Sequence, residues 1–343
     1  MKKYIKIVTP FQAPFNSSDE LITKESEKSI AINFEDVCGK FTIGFSDDID
    51  NKLVQELINT DDSSYSPLWR NSDVRKYKYL ILKFELESFS KKESYDKPVE
   101  NLCCEGTILS ENAFSWREVD LSSTSEYVYR LFMLSINCIY LNRYGFGRGY
   151  ILIEEKFFSR TEPIQYVSIE DHEGNLKFTL EKITLEEIWD YLLESDLFYL
   201  SRSHNNINRA IIAISKIQYE SKNSFTNLMF SMMAIESLYA RGQGNSISSQ
   251  LLDKIKLFLG NEFLEKASFS KKRINRIYQI RSKYIHGNSD LSFPFVETEY
   301  YFDTESEILE AFEDSYFILV STLIKIIKQS LFNFDFCYSL NKY

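Results

Sequence analysis

Arg281 and His286 stand five residues apart in the stretch IYQIRSKYIHGNSD, residues 277–290. A guanidinium presents a rigid fork of donors that fits a phosphate. An imidazole exchanges a proton near neutral pH. In front of an RNA strand, these two groups would suffice for cleavage without a metal. The ribose 2′-hydroxyl would supply the nucleophile, leaving a 2′,3′-cyclic phosphate and a free 5′-hydroxyl.

The positions of the two residues sharpen the question. Arg281 lies four residues after Ile277, three after Tyr278, three before Tyr284 and four before Ile285, inside an apolar helical stripe. Glu236 lies seven after Met229, four after Met232 and three before Tyr239, inside another. A lone charge in an apolar layer is costly, so such groups pair or line a site. Two readings are open: a structural Arg281–Glu236 ion pair, or a polar pocket in which Arg281 also receives a phosphate. His286 precedes Gly287, which reads as the residue just past a helix end, where a cation is favoured by the helix dipole. A helix-end histidine with no further role is therefore the plain alternative. Five residues amount to about 140° around a helix, so Arg281 and His286 do not share a face. They can still converge from the helix end.

The elements that must hold these residues follow from periodicity. After residue 184 apolar residues recur at three-or-four spacing. A short helix follows Thr184, a good N-cap. Five more are expected over 206–220, 223–241, 247–259, 270–286 and 304–332, joined by short connections that allow an antiparallel bundle. The last is apolar on more than one side, which makes it either central or partner-facing. Before residue 184 short alternating runs dominate. KYKYLILKFELESF and GRGYILIEEKFF read as strands, and PIQYVSIEDHEGNLKFTLEKI as a hairpin around Gly174-Asn175. One helix, SEYVYRLFMLSINCIYLNRY, interrupts them. The expected class is α+β: a β-rich domain over 1–183, then an all-α helical domain over 184–343.

Composition bounds the setting. The 343 residues are 44% hydrophobic and 26% charged, ordinary for a folded protein of two domains. No run has the roughly 18 uncharged apolar residues of a membrane helix. In the start MKKYIKIVTPFQAP, Lys6 and Pro10 interrupt any secretion-signal core. Cys38, Cys103, Cys104, Cys138 and Cys337 are scattered, odd in number and without C-x-x-C spacing, which argues against a disulfide framework or a cysteine zinc site. A reducing cytoplasm is the expected location. The net charge is −10, yet residues 201–290 carry 14 Lys+Arg against 6 Asp+Glu, a balance of +8 that leaves −18 for the rest. That segment either concentrates positive potential for a polyanion or is a solvated basic surface.

RSKYIHG resembles the R-x4-6-H motif of HEPN domains, in particular the ApeA-like HEPN group of bacterial antiviral and toxin–antitoxin systems. MMAIESLYA resembles that group's second helix, whose acidic residue matches Glu236, and RINRIYQIRSKYIHG resembles the helix leading into its Arg–His motif. The resemblance spans about residues 200–335, with a variable N-terminal domain upstream. It implies a homodimer through the HEPN domain, two Arg–His pairs facing one cleft, and no metal or cofactor. It also implies Arg281 and His286 as catalytic residues, with Glu236 orienting them. Ser282 follows the arginine where many nuclease members have Asn, Asp or His, and ApeA-like members often have Ser there. The implied activity is an endoribonuclease in antiphage defence (abortive infection) or a toxin effector. RNA, tRNA among it, would be the substrate, and a phage-derived trigger or antitoxin-like regulator would act on the N-terminal domain. The alternative is a non-catalytic HEPN module that binds RNA or protein.

Further residues have two readings each. Lys272, Arg273, Arg276 and Lys283 lie outside the stripe of the motif helix and could contact RNA phosphates, or simply be solvated. Phe293, Phe295, Tyr300, Tyr301 and Phe302 could stack on bases or pack on the bundle. YGFGRGY lacks the G-K-[ST] of a P-loop and reads as a turn. His172 and His204 have no ligand-like neighbours in sequence.

Overall fold

The computed structural model describes residues 2–12, 18–33, 37–47, 52, 54–56, 78–88, 103–104, 107–108, 115–140, 145–161, 180–195, 203, 205–219, 224–240, 247–266, 269–287, 299–334 and 336. The hairpin expected around Gly174-Asn175, both of His172 and His204, and Phe293 and Phe295 lie outside these residues, as do the side chains of Tyr300, Tyr301 and Phe302. The chain forms two compact units, one of residues 1–133 with 143–166, the other of 134–142 with 167–343. The last part of a long helix belongs to the second unit.

The first unit is an antiparallel sheet. Its strands are β1 (Lys2–Gln12), β2 (Ser29–Asn33), β3 (Val37–Ser46), β4 (Lys78–Ser88), β7 (Gly145–Phe146), β8 (Tyr150–Ile153) and β9 (Lys156–Arg160), in the order β2-β3-β4-β1-β8-β9 with β7 on the end of β1. The two-residue strands β5 (Cys103–Cys104) and β6 (Thr107–Ile108) pair separately. Strand alternation puts Ile5, Ile7, Phe41, Ile43, Leu82 and Phe84 on one buried face. The register Ile7↔Leu82 and Phe41↔Phe84 stacks them across the sheet. Helix α2 (Trp116–Tyr140), the second after α1 (Ser18–Glu25), covers that face. Phe132 meets Phe41 edge-on at 5.8 Å, and Thr9 donates to the Tyr129 hydroxyl at 3.1 Å. The other face carries Lys2 and Lys40, both on Glu85, beside an apolar cluster of Val8, Val54, Tyr150 and Leu152.

The second unit is helical. It contains α3 (Leu185–Glu194), α4 (Asn206–Tyr219), α5 (Ser224–Tyr239), α6 (Ile247–Leu259), α7 (Asn261–Lys266), α8 (Lys271–Ile285) and α9 (Glu299–Lys328). Helix α5, SFTNLMFSMMAIESLY, is apolar nearly all round, and such a helix must be covered on more than one side. It packs against α4 and α9 most extensively. The Tyr239 hydroxyl shares a 2.7 Å hydrogen bond with Thr322 of α9, both fully buried. The question of the last helix is answered: residues 311–320 of α9 are all buried, so it is central. Beyond it the chain turns back. Tyr191 donates to the Leu331 carbonyl at 2.7 Å, and Phe334 packs edge-on against Tyr239 and Phe258.

Thr184 is the N-cap of α3, with a full capping box. Its hydroxyl accepts from Glu187 N–H at 3.2 Å, and the Glu187 carboxylate accepts from Thr184 N–H at 2.7 Å. Thr184→Ala is expected to cost about 1 kcal/mol. The check is the urea midpoint of the transition that carries the helical signal, which should fall.

Candidate functional site

The site grows from the burial of α5 and α8. Helix α8 starts at the N-cap Ser270, whose hydroxyl accepts from Arg273 N–H at 3.2 Å. Its buried residues are Ile274, Ile277 and Ile280. The expected stripe is corrected by one step: Ile280 is inside, Tyr278 and Tyr284 are half-buried, and Ile285 is exposed. Tyr284 stacks on Phe225 of α5 at 4.3 Å between ring centroids. Arg281 therefore sits at the margin of the buried stripe, on the side that meets α5.

Arg281 and Glu236 do meet. The Arg281 Nη2 lies 3.5 Å from Glu236 Oε2, with the two side chains 20% and 21% exposed. The pair is long and makes no hydrogen bond. Among the described residues, Arg281 Nε and Glu236 Oε1 are both buried without a hydrogen-bond partner. Burial pushes the Glu236 carboxyl above its ordinary range, and the Arg281 charge only partly counters this.

His286 is the C-cap of α8, its N–H donating to the Ser282 carbonyl at 3.1 Å. Gly287 follows at φ +67°, the left-handed C′ position that glycine tolerates. The histidine is exposed. Among the described residues its ring makes no hydrogen bond or ion pair. The structure thus brings Arg281 and Glu236 together and leaves His286 open at the end of the same helix.

The four basic residues of α8 expected to contact RNA divide into two kinds. Lys272 and Lys283 are exposed and make no ion pair among the described residues. Arg273 and Arg276 are engaged by α9. Arg273 grips Asp314 with two N–H groups, Nε at 2.6 Å from Oδ2, and lies 4.9 Å over the Phe269 ring. Arg276 reaches Glu307 at 3.2 Å and Glu310 at 3.3 Å. An open groove of about 1150 Å³ runs along this seam, lined by Lys271, Lys272, Asn275 and Gln279 opposite Glu310 and Glu313; Arg281, His286 and Glu236 do not line it. The α9 acids were missed in the sequence, although Glu307, Glu310 and Asp314 fall at i, i+3 and i+7, one helical face.

No protein-family model, no curated protein and no solved structure matches the chain. Among the described residues, no helix is long and apolar enough to cross a membrane. Fold and site therefore rest on the geometry of the chain itself.

The raised carboxyl gives a test with a definite sign. A group whose folded pKa is raised contributes stability at low pH and loses it as pH rises through the folded value. At neutral pH, Glu236→Gln removes an ionised group that the fold disfavours. The variant should unfold at equal or higher urea concentration than wild type at pH 7.5. The difference should shrink towards zero below about pH 4, under the ordinary glutamate pKa. A lower midpoint for the variant at pH 7.5 would show that the ion pair outweighs burial.

Proposed function

We propose that the chain is a metal-independent HEPN-type endoribonuclease of the ApeA-like kind. It acts as an antiphage or toxin effector, with the β-rich unit as its sensing or regulatory part. The observation that carries this reading is the Arg281–Glu236 contact between two helices of one bundle, on the helix that ends in exposed His286. Arg281 holds the scissile phosphate. His286 handles the proton: as the 2′-oxygen attacks phosphorus, the 2′-hydroxyl gives up its proton and the P–O5′ bond breaks. The 5′-oxygen then leaves as a hydroxyl. Glu236 sets the position of Arg281.

Two further features support the reading. Lys272 and Lys283, exposed and without an ion pair among the described residues, present charge on the same helix for flanking phosphates. Met233, three residues before Glu236, and Ile285, just before His286, are 54% and 44% exposed. Large apolar side chains held in solvent beside a site fit a surface that a second copy covers.

The experiment is cleavage of total RNA and tRNA in EDTA by the folded full chain, with analysis of the 3′ ends. Cleavage leaving cyclic phosphate is expected, with a loss of about 100-fold or more in His286→Ala. Undiminished cleavage by a folded His286→Ala protein would contradict the assignment. RNA binding without cleavage by wild type would place the chain among the non-catalytic binding modules instead.

A further inference from the structure

Each of the three arginines of α8 meets a carboxylate, and the three contacts differ in kind. Arg273 holds Asp314 through a two-pronged fork, and Asp314 is only 7% exposed. That is a strong, geometrically satisfied contact. Arg276 meets Glu307 and Glu310 at a surface where all three side chains are about half exposed, so solvent screens the contact and it is weak. Arg281 and Glu236 are mostly buried, with 20% and 21% of their side chains exposed, but unlike the first pair they are poorly satisfied. One nitrogen faces one oxygen at 3.5 Å, and Nε and Oε1 are buried with no hydrogen-bond partner among the described residues. Charged groups that lose most of their water without gaining hydrogen bonds are held poorly. Burial keeps the Glu236 carboxyl above its ordinary range even with the guanidinium beside it.

The two non-bridging oxygens of a phosphodiester match the fork that Arg281 offers, Nε with Nη2, and would satisfy both nitrogens at once. We infer that Glu236 occupies, in the resting chain, the seat on Arg281 that an RNA phosphodiester takes, so that carboxylate and phosphate compete for one guanidinium. This rests on the ribonuclease reading but differs from a purely orienting role. A carboxylate that only orients Arg281 helps RNA bind, whereas a competing one hinders it. Arg273 serves as the contrast on the same helix. Its satisfied fork on Asp314 makes it a structural arginine, and RNA does not draw it away.

The test is the affinity of the full chain for an uncleavable 2′-O-methyl RNA oligonucleotide at fixed salt, by fluorescence anisotropy, with fold checked by circular dichroism. Glu236→Gln should bind about fivefold more tightly or better, the lower end of usual coupling strengths. Arg281→Gln should bind more weakly, and the double variant should match Arg281→Gln, because the gain acts through that arginine. If Glu236→Gln is poorly folded, Glu236→Asp, which draws the carboxylate back from Arg281, should shift affinity in the same direction. Unchanged or weaker binding by folded Glu236→Gln and Glu236→Asp, with Arg281→Gln still weakened, would overturn the competition and leave the ribonuclease reading standing. Binding that ignores Arg281→Gln, or no binding by any of these proteins, would overturn both.

Discussion

A carboxylate inside an apolar layer is the constraint around which the helical unit is arranged. Helix α5 must be covered on several sides because nearly every face of it is apolar, and α4 and α9 supply that cover. Glu236 is carried into this layer three residues before fully buried Tyr239 and four after buried Met232. Its charge needs an answer from a neighbouring helix. Arg281, at the edge of the α8 stripe, is that answer. Gly287, at the left-handed C′ position, ends α8 and so sets where His286 emerges, on the same helix as Arg281. One ion pair thus joins α5 to the helix that ends in exposed His286.

Helix α9 engages the other two arginines of α8. A stretch that looks in sequence like a run of positive charge free for a polyanion is partly neutralised by an acidic face of α9. The local balance of residues 201–290 overstates the potential available along α8, because Glu307, Glu310 and Asp314 lie outside that window. What remains open on α8 is the lysines at its two ends and the histidine at its C-cap. Positive charge therefore survives at both ends of the helix rather than along its length.

Features that depend on one helix or one cap were legible in sequence. Thr184 with Glu187, and His286 before Gly287, follow from local chemistry that the surrounding fold does not override. The Arg281–Glu236 contact was legible for a different reason: two opposite charges within apolar stripes leave few other arrangements. Less was legible where the signal lay across elements or against habit. The β8–β9 hairpin turns through Glu154 and Glu155, both at positive φ, where Asn-Gly is the usual signature. That turn is held instead by the main chain of Tyr4, which exchanges hydrogen bonds with Glu154. Helix α2 begins at Trp116, nine residues before the apolar periodicity is plain, because Ser115 and Glu118 cap each other in an S-x-x-E box. The pairing of α8 with α9 needed the relative placement of two helices separated by a long connection, which periodicity does not supply.

The most direct measurement is the titration of the Glu236 side-chain carboxyl by carbon NMR, in wild type and in Arg281→Gln. The structure predicts a midpoint above the ordinary glutamate range in wild type, because burial outweighs the guanidinium. It predicts a further rise when the guanidinium is removed. A Glu236 that titrates like a free glutamate, with a midpoint indifferent to Arg281, would mean that the two groups do not meet, and the site built on them would fall.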